Sequence, residues 1–187
     1  MFSQTIDHAT ELKILEREHT EELFSLTDRS RNTLREWLPW IDHTKTVEDS
    51  RKFIESGLIQ WKEQNGFQAG IWHHGELTGV IGLHAIDWTH RSTSIGYWLG
   101  KTYEGKGLMT RSCKAVVKYC LEELDLNRIE IRAASENKRS IAIPKRLGFI
   151  QEGCIRQAEW LYDHYVDHLI FGLLKEDYIQ LKARIYD

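Results

Sequence analysis

The chain has 187 residues, 25 Lys+Arg against 28 Asp+Glu, a formal net charge of −3, 41% hydrophobic and 28% charged side chains. That balance fits one globular domain over 1–187 with its own core. The interspersed charges predict no direct nucleic-acid partner, and no apolar run approaches the roughly 20 residues that span a bilayer. The N-terminus lacks a secretory pattern, so the expectation is a cytoplasmic protein without a membrane partner.

Thr10–Leu15 reads as a first strand. Helical segments follow at His19–Arg29 and Asn32–Trp37, the second stopped by Pro39. Thr46 is the expected N-cap of a third helix, with Glu48 and Asp49 in its first turn. Val47, Phe53, Ile54, Leu58 and Trp61 form its apolar stripe, running to about Gln64.

The period changes after Asn65–Gly66. Phe67–His73, Leu77–Ile86 and Ser92–Leu99 predict three antiparallel strands, joined by a tight His74–Gly75 turn and a looser Asp87–Arg91 connection. A long helix is expected over Gly107–Leu124, with Met109, Cys113, Val116, Cys120 and Leu124 on one face. Arg128–Ala134 predicts a strand parallel to Ser92–Leu99 through that crossover helix. Asn137 caps a short helix ending near Leu147–Gly148. Strands Phe149–Ala158 and Val166–Leu174 and a terminal helix Lys175–Arg184 complete the series.

The fold class is therefore mixed α/β (α+β): about seven strands, mostly antiparallel, with helices packed on both faces. Cys113, Cys120 and Cys154 are odd in number and lack metal-ligand spacing, and read as small buried residues in a reducing compartment. His73 and His74, adjacent in a strand, point to opposite faces. His84 and His90 form no ligand pattern; His164 and His168 have the spacing of helical metal ligands, but their segment reads as loop running into strand, so no metal is expected.

One turn carries chemistry. Gly105 and Gly107 precede the long helix, where backbone can approach a bulky ligand without a Cβ in the way. The first N–H groups of a helix have no intrahelical partner and sit at the positive end of its dipole, so they form an anion site suited to a pyrophosphate. Lys106 adds a charge. A Walker A loop is absent, and Thr110 stands where the dinucleotide fingerprint needs a third glycine.

The segment Glu104-Gly105-Lys106-Gly107-Leu108-Met109 resembles motif A of the GNAT acetyltransferase superfamily, [RQ]-x-x-G-x-[GA]. Gly107 matches strictly, while Glu104 and Met109 depart. Asn137, Ser140, Gly148 and Phe149 resemble the N-x-x-S-x(7)-G-F region of the ribosomal-protein N-terminal acetyltransferase branch. Glu152 to Trp160 and the segment Arg31, Leu34, Trp37, Leu38, Pro39, Trp40 also resemble that branch, in the same order.

The resemblance implies acetyl-CoA as cosubstrate and direct attack of a primary amine on the thioester. The amine is expected to be the N-terminus of a ribosomal protein, and relatives suggest a homodimer. It implies Glu159 as general base and Ser140 as acid beside the sulfur. Asn137 and the backbone of Trp98, Leu99 and Gly100 would hold the pantetheine arm. Gly105, Lys106, Gly107, Leu108, Met109 and Thr110 would cradle the pyrophosphate. Trp37 and Trp40 would wall a substrate groove. Two alternatives stay open: a small amine as acceptor (polyamine, amino acid or drug), or a CoA-binding sensor without turnover.

Overall fold

A tight hairpin anchors the sheet. His74 and Gly75 both take positive φ (52° and 80°), the handedness that matches the twist of two flanking strands. They join β3 (Phe67–His73) to β4 (Glu76–Leu83) with His73 opposite Glu76. The computed structural model describes residues 3–186, with side chains through Ala183.

Around this hairpin lie β1 (Ser3–Thr5), β2 (Thr10–Ile14) and β5 (Ser92–Leu99). Beyond β5 come β6 (Arg128–Ala134), β7 (Ile150–Leu161) and β8 (His164–Leu174). Their order across the sheet is β1-β2-β3-β4-β5-β6-β8-β7, and among the described residues only β5 and β6 pair in parallel. The sheet thus has eight strands rather than about seven. The extra one, β1, is three polar residues with no apolar alternation to reveal it; its register against β2 holds it (Ser3 opposite Lys13).

Helices α1 (Thr20–Arg29), α2 (Arg31–Leu34), α3 (Val47–Lys62), α4 (Leu108–Lys118), α5 (Lys138–Arg146) and α6 (Lys175–Tyr186) cover both faces. Alternation along β4 separates them: Ile81 joins a core with Cys113 and Val116 of α4, while Val80 joins Leu23 and Leu26 of α1 and Ile54 of α3.

Several boundaries moved. The second helical segment is shorter than Asn32–Trp37, a single turn at Arg31–Leu34, followed by a 3-10 turn at Pro39–Asp42. α3 begins as expected at Thr46, whose hydroxyl accepts from Asp49 N–H in a reciprocal capping box. Phe53, assigned to its core stripe, is instead 40% exposed. The long helix is not α-helical to Leu124: Tyr119–Glu123 widens into a π turn, with Leu124 N–H donating to Tyr119 O at 3.0 Å. β4 stops at Leu83, short of Ile86, and β7 and β8 each extend toward their shared turn. Cys113 and Cys120 are buried as expected, and burial pushes both thiols up; Cys154 is exposed on β7, an edge strand.

Candidate active site

The parallel pair is short. β5 and β6 stay in register only from Ser92–Arg128 to Ser94–Glu130. Past that point they separate, leaving Ile95–Leu99 on one side and Ile131–Ala134 on the other. A cleft of about 1950 Å³ runs through this opening. Its lining includes Tyr97, whose side chain packs toward the α4 core, and Trp98, which packs with α1 on the opposite face. The cleft therefore passes through the sheet and is reached from both faces.

Backbone direction decides what β5 offers. His84 N–H donates to Ser94 O at 2.9 Å and Gly100 N–H donates to Thr78 O at 2.8 Å. The even-numbered residues of β5 thus bond back to β4, and the backbone groups of Tyr97 and Leu99 face the opening. Of the three expected backbone contributors, Leu99 alone has the right orientation. Trp98 contributes its ring and Gly100 has its amide committed.

At the α4/α5 face lies the glycine turn. Gly107 is the N-cap of α4 in left-handed conformation (φ 72°), without a side-chain cap. The first intrahelical donor is Arg111 N–H, to Gly107 O at 3.1 Å. The N–H groups of Leu108, Met109 and Thr110 are consequently open at the helix start, as an anion cradle requires. Gly105 is also left-handed (φ 75°), with nothing within 4 Å of a would-be Cβ. These residues fit a pyrophosphate.

The surrounding charges are arranged otherwise than expected. Lys106 places its ammonium 5.4 Å from the Tyr103 ring centroid. Arg111 lines the cleft, donating to Asp7 Oδ2 (3.1 Å) and Lys106 O (3.2 Å). Glu104 pairs with Arg139 of α5, so its carboxylate is neutralised across the mouth of the turn.

α5 brings the next group. Asn137 Oδ1 accepts from Ser140 N–H at 3.1 Å, so its oxygen caps the helix and its amide NH₂ offers two donors to a ligand. Ser140 meets a partner that sequence reasoning missed. Tyr97 O–H donates to Ser140 O at 3.1 Å, and Ser140 O–H donates to Tyr97 Oη at 3.4 Å. Burial pushes the Tyr97 phenol well above its ordinary range, so it stays a neutral donor. The aromatic–hydroxyl pair spans 43 residues of sequence, and no local pattern announces it.

The other end of the cleft is aromatic. Trp37, Trp40, Phe53 and Trp98 all line it, and Trp40 sits 5.9 Å from Trp98 between ring centroids. Arg31 holds the carrier segment in shape by donating to Ile41 O (2.6 Å) and Thr44 O (2.8 Å). Arg35 ties it to the β7–β8 turn, stacking 3.9 Å over the Tyr162 ring while gripping Asp42 bidentately at 3.0 Å.

Glu159 reaches this end because β7 is irregular. Between Ile155 and Glu159 its register shifts, so Arg156, Gln157 and Ala158 face only Asp167. Glu159 then shares a sheet face with Val166 and His168, opposite the face of the α4 core. His168 Nε2 lies 3.0 Å from Glu159 Oε2. His168 carried no signal in the sequence beyond its spacing to His164, and no group of His, Cys, Asp or Glu among the described residues is placed to hold a metal. Ser140 with Tyr97 and Glu159 with His168 thus stand at the two ends of one through-going cleft.

Comparison with known proteins agrees with this architecture. Residues 11–150 match the family described as Acetyltransferase (GNAT) domain. The chain is 34% identical over 182 residues to YdaF of Bacillus subtilis (strain 168), covering 95% of this chain and 98% of the relative. It is 28% identical to the ribosomal-protein-serine acetyltransferase of Escherichia coli (strain K12), covering 97% and 96%. Its fold superposes with TM-score 0.90 on RimL, a ribosomal L7/L12 alpha-N-protein acetyltransferase solved with coenzyme A, at 25% identity over 92% of this chain and 98% of that one. The chain belongs to the GNAT acetyltransferase family and is an N-acetyltransferase.

Proposed function

We propose that the protein is one domain over 1–187 that transfers acetyl from acetyl-CoA to the α-amine of a protein N-terminus, a ribosomal protein being the favoured acceptor. The observation that carries this is the cleft through the sheet, with an uncapped helix start at one face and a carboxylate at the other. The ribosomal-protein names of the E. coli relative and of the superposed RimL structure support the acceptor class.

Leu108, Met109 and Thr110 N–H groups hold the pyrophosphate, and Asn137 NH₂ binds an amide carbonyl of the pantetheine arm. Leu99 N–H points into the opening, where it stabilises negative charge developing on the thioester oxygen. Glu159 supplies the base at the acceptor end, since an α-amine with ordinary pKa near 8 arrives mostly protonated. Ser140 O–H, which rests on Tyr97 Oη, turns from it to donate to the departing sulfur at the opposite face. Trp37 and Trp40 wall the path of the incoming chain.

Thiol release and product mass, measured with acetyl-CoA, decide the acceptor. The panel is peptides beginning with Ser or Ala, the same peptides N-terminally blocked but containing Lys, and spermidine. Free α-amine peptides are expected to turn over at least about tenfold faster than the others. Preference for spermidine or for the blocked peptides would overturn the acceptor assignment.

Ser140 and Tyr97 act as one unit here. Ser140→Ala and Tyr97→Phe are each expected to lower kcat about tenfold with acetyl-CoA KM little changed, and the double variant to fall no further than either single one. Additive losses would separate the two residues.

A further inference from the structure

The acceptor end holds a second ionisable group that the reaction as described leaves idle. His168 lies on β8, opposite Ala134 of β6, and its ring lines the cleft. Its Nε2 is 3.0 Å from Glu159 Oε2, and both side chains are partly exposed to the cleft (22% and 32%). A carboxylate offers only acceptors, so this bond is satisfied by Nε2–H as donor. The neutral ring then carries its lone pair on Nδ1.

That arrangement has the logic of a histidine whose tautomer is fixed by a carboxylate. In water a carboxylic acid is roughly four pK units more acidic than an α-ammonium, whereas an imidazolium is only about one to two units more acidic. An imidazole is therefore the better matched base for an α-ammonium.

Resting on the N-terminal amine reading above, we propose that Glu159 exercises its base function through His168. The ammonium of the acceptor gives one proton to His168 Nδ1, directly or through one water. The nitrogen keeps the electron pair of the broken N–H bond and attacks the thioester carbonyl with it, pushing the C=O pair onto oxygen. Collapse of that oxyanion breaks the C–S bond, and the sulfur leaves with its pair and takes the Ser140 proton. The second surplus proton on nitrogen passes to solvent, which reprotonates Ser140. His168 becomes an imidazolium whose charge is held by the Glu159 carboxylate, and later returns the proton to solvent.

The other charged groups around the pair are consistent with this. Arg132 of β6 reaches the cleft but is bonded to Glu130. Glu136, before α5, His84, at the end of β4, and Glu36, after α2, line the same cleft. His84 is itself held by Ser94 Oγ at 2.8 Å. Tyr162 of the β7–β8 turn is engaged by Arg35, which grips Asp42. Asp167, beside His168 in sequence, accepts from Gln157 N–H at 2.7 Å. Glu159 is the charged partner in contact with the His168 ring.

His168→Gln tests the assignment, because the amide places an N–H donor where Nε2–H stands but has no basic nitrogen. With acetyl-CoA and a Ser-initiated peptide, kcat is expected to fall at least about tenfold at pH 7. The rise of kcat/KM with pH is expected to move to that of the acceptor's own ionisation, near pH 8 for an α-amine. Acetyl-CoA KM should stay within about twofold. Wild-type kcat, or a reduced kcat with that pH limb unmoved, overturns the proposal, since Glu159 alone would then take the proton.

Should the wild type prefer another amine from the panel, the same comparison is run with that amine, and the acceptor reading fails separately from this one. An NMR measurement of the imidazole N–H needs no acceptor. The His168 Nε2–H signal, identified by its loss in His168→Gln, is expected to be protected from exchange with water in wild type and lost in Glu159→Ala. An unchanged signal overturns the coupling.

Discussion

Glu159→Gln is expected to lower kcat for a peptide α-amine about 100-fold at pH 7, within the range that a positioned base contributes. Acetyl-CoA KM is expected to change less than about twofold. The split follows from geometry: Glu159 stands on the face of α1 and α3, across the sheet from the open N–H groups of α4. Gln fills the same volume and can still bond His168, so the bulged stretch Arg156–Ala158 keeps its shape. What disappears is the negative charge that stabilises a proton taken from the ammonium. The defect should shrink as pH rises, because above about pH 8 an α-amine is increasingly unprotonated without help. Stopped-time thiol assays at pH 7 and pH 9.5 check both statements. A defect of equal size at the two pH values would mean that Glu159 orients the acceptor and takes no part in its deprotonation.

Local chemistry made much of the scaffold legible. The His74–Gly75 turn, the Thr46 N-cap and the apolar spacing Met109, Cys113, Val116, Cys120 each depend on residues a few positions apart. Sequence patterns report such features directly. The elements that escaped depend on distant partners. β1 exists because β2 offers it a register, and the π turn at Tyr119–Glu123 is a change of backbone pairing that leaves the apolar stripe nearly intact.

The site divides in the same way. The glycine turn and Asn137 were legible as a helix start and a cap. Ser140 and Glu159 entered through resemblance, and their partners could not be read at all. Tyr97 sits 43 positions from Ser140, in a strand whose alternation explains its burial without any functional reading. His168 meets Glu159 only because the β7 register slips by two residues relative to β8. The backbone at Trp98–Gly100 shows the limit most plainly: which of three consecutive amides faces the cleft is set by strand pairing with β4, so Leu99 qualifies and Gly100 does not.

Gly107→Val is expected to weaken CoA binding about 100-fold while leaving the folded protein recoverable. Gly107 holds φ 72° at the N-cap of α4. A non-glycine residue there costs about 1–2 kcal/mol, and a β-branched one sits at the unfavourable end. For a chain of this size that corresponds to a loss of roughly 3–6 °C in Tm. Relaxing toward negative φ turns the first N–H groups of α4 away from their common focus. Losing two hydrogen bonds to a charged phosphate, at about 1.5 kcal/mol each, gives about 3 kcal/mol, which is the 100-fold change in Kd. Close packing is a minor part of the effect, since the nearest atom to an added Cβ is the far end of the long Arg111 side chain at 3.0 Å. Gly105→Val separates strain from ligand geometry. It has nearly the same φ, 75°, and open space around the added Cβ, but it lies outside the helix start. Its Tm should fall as far as that of Gly107→Val, with CoA affinity reduced less than about tenfold. Calorimetric titration with CoA and thermal melts of the two variants make the comparison. Equal losses of affinity would place the phosphate on the whole turn, and wild-type affinity in Gly107→Val would remove it from α4.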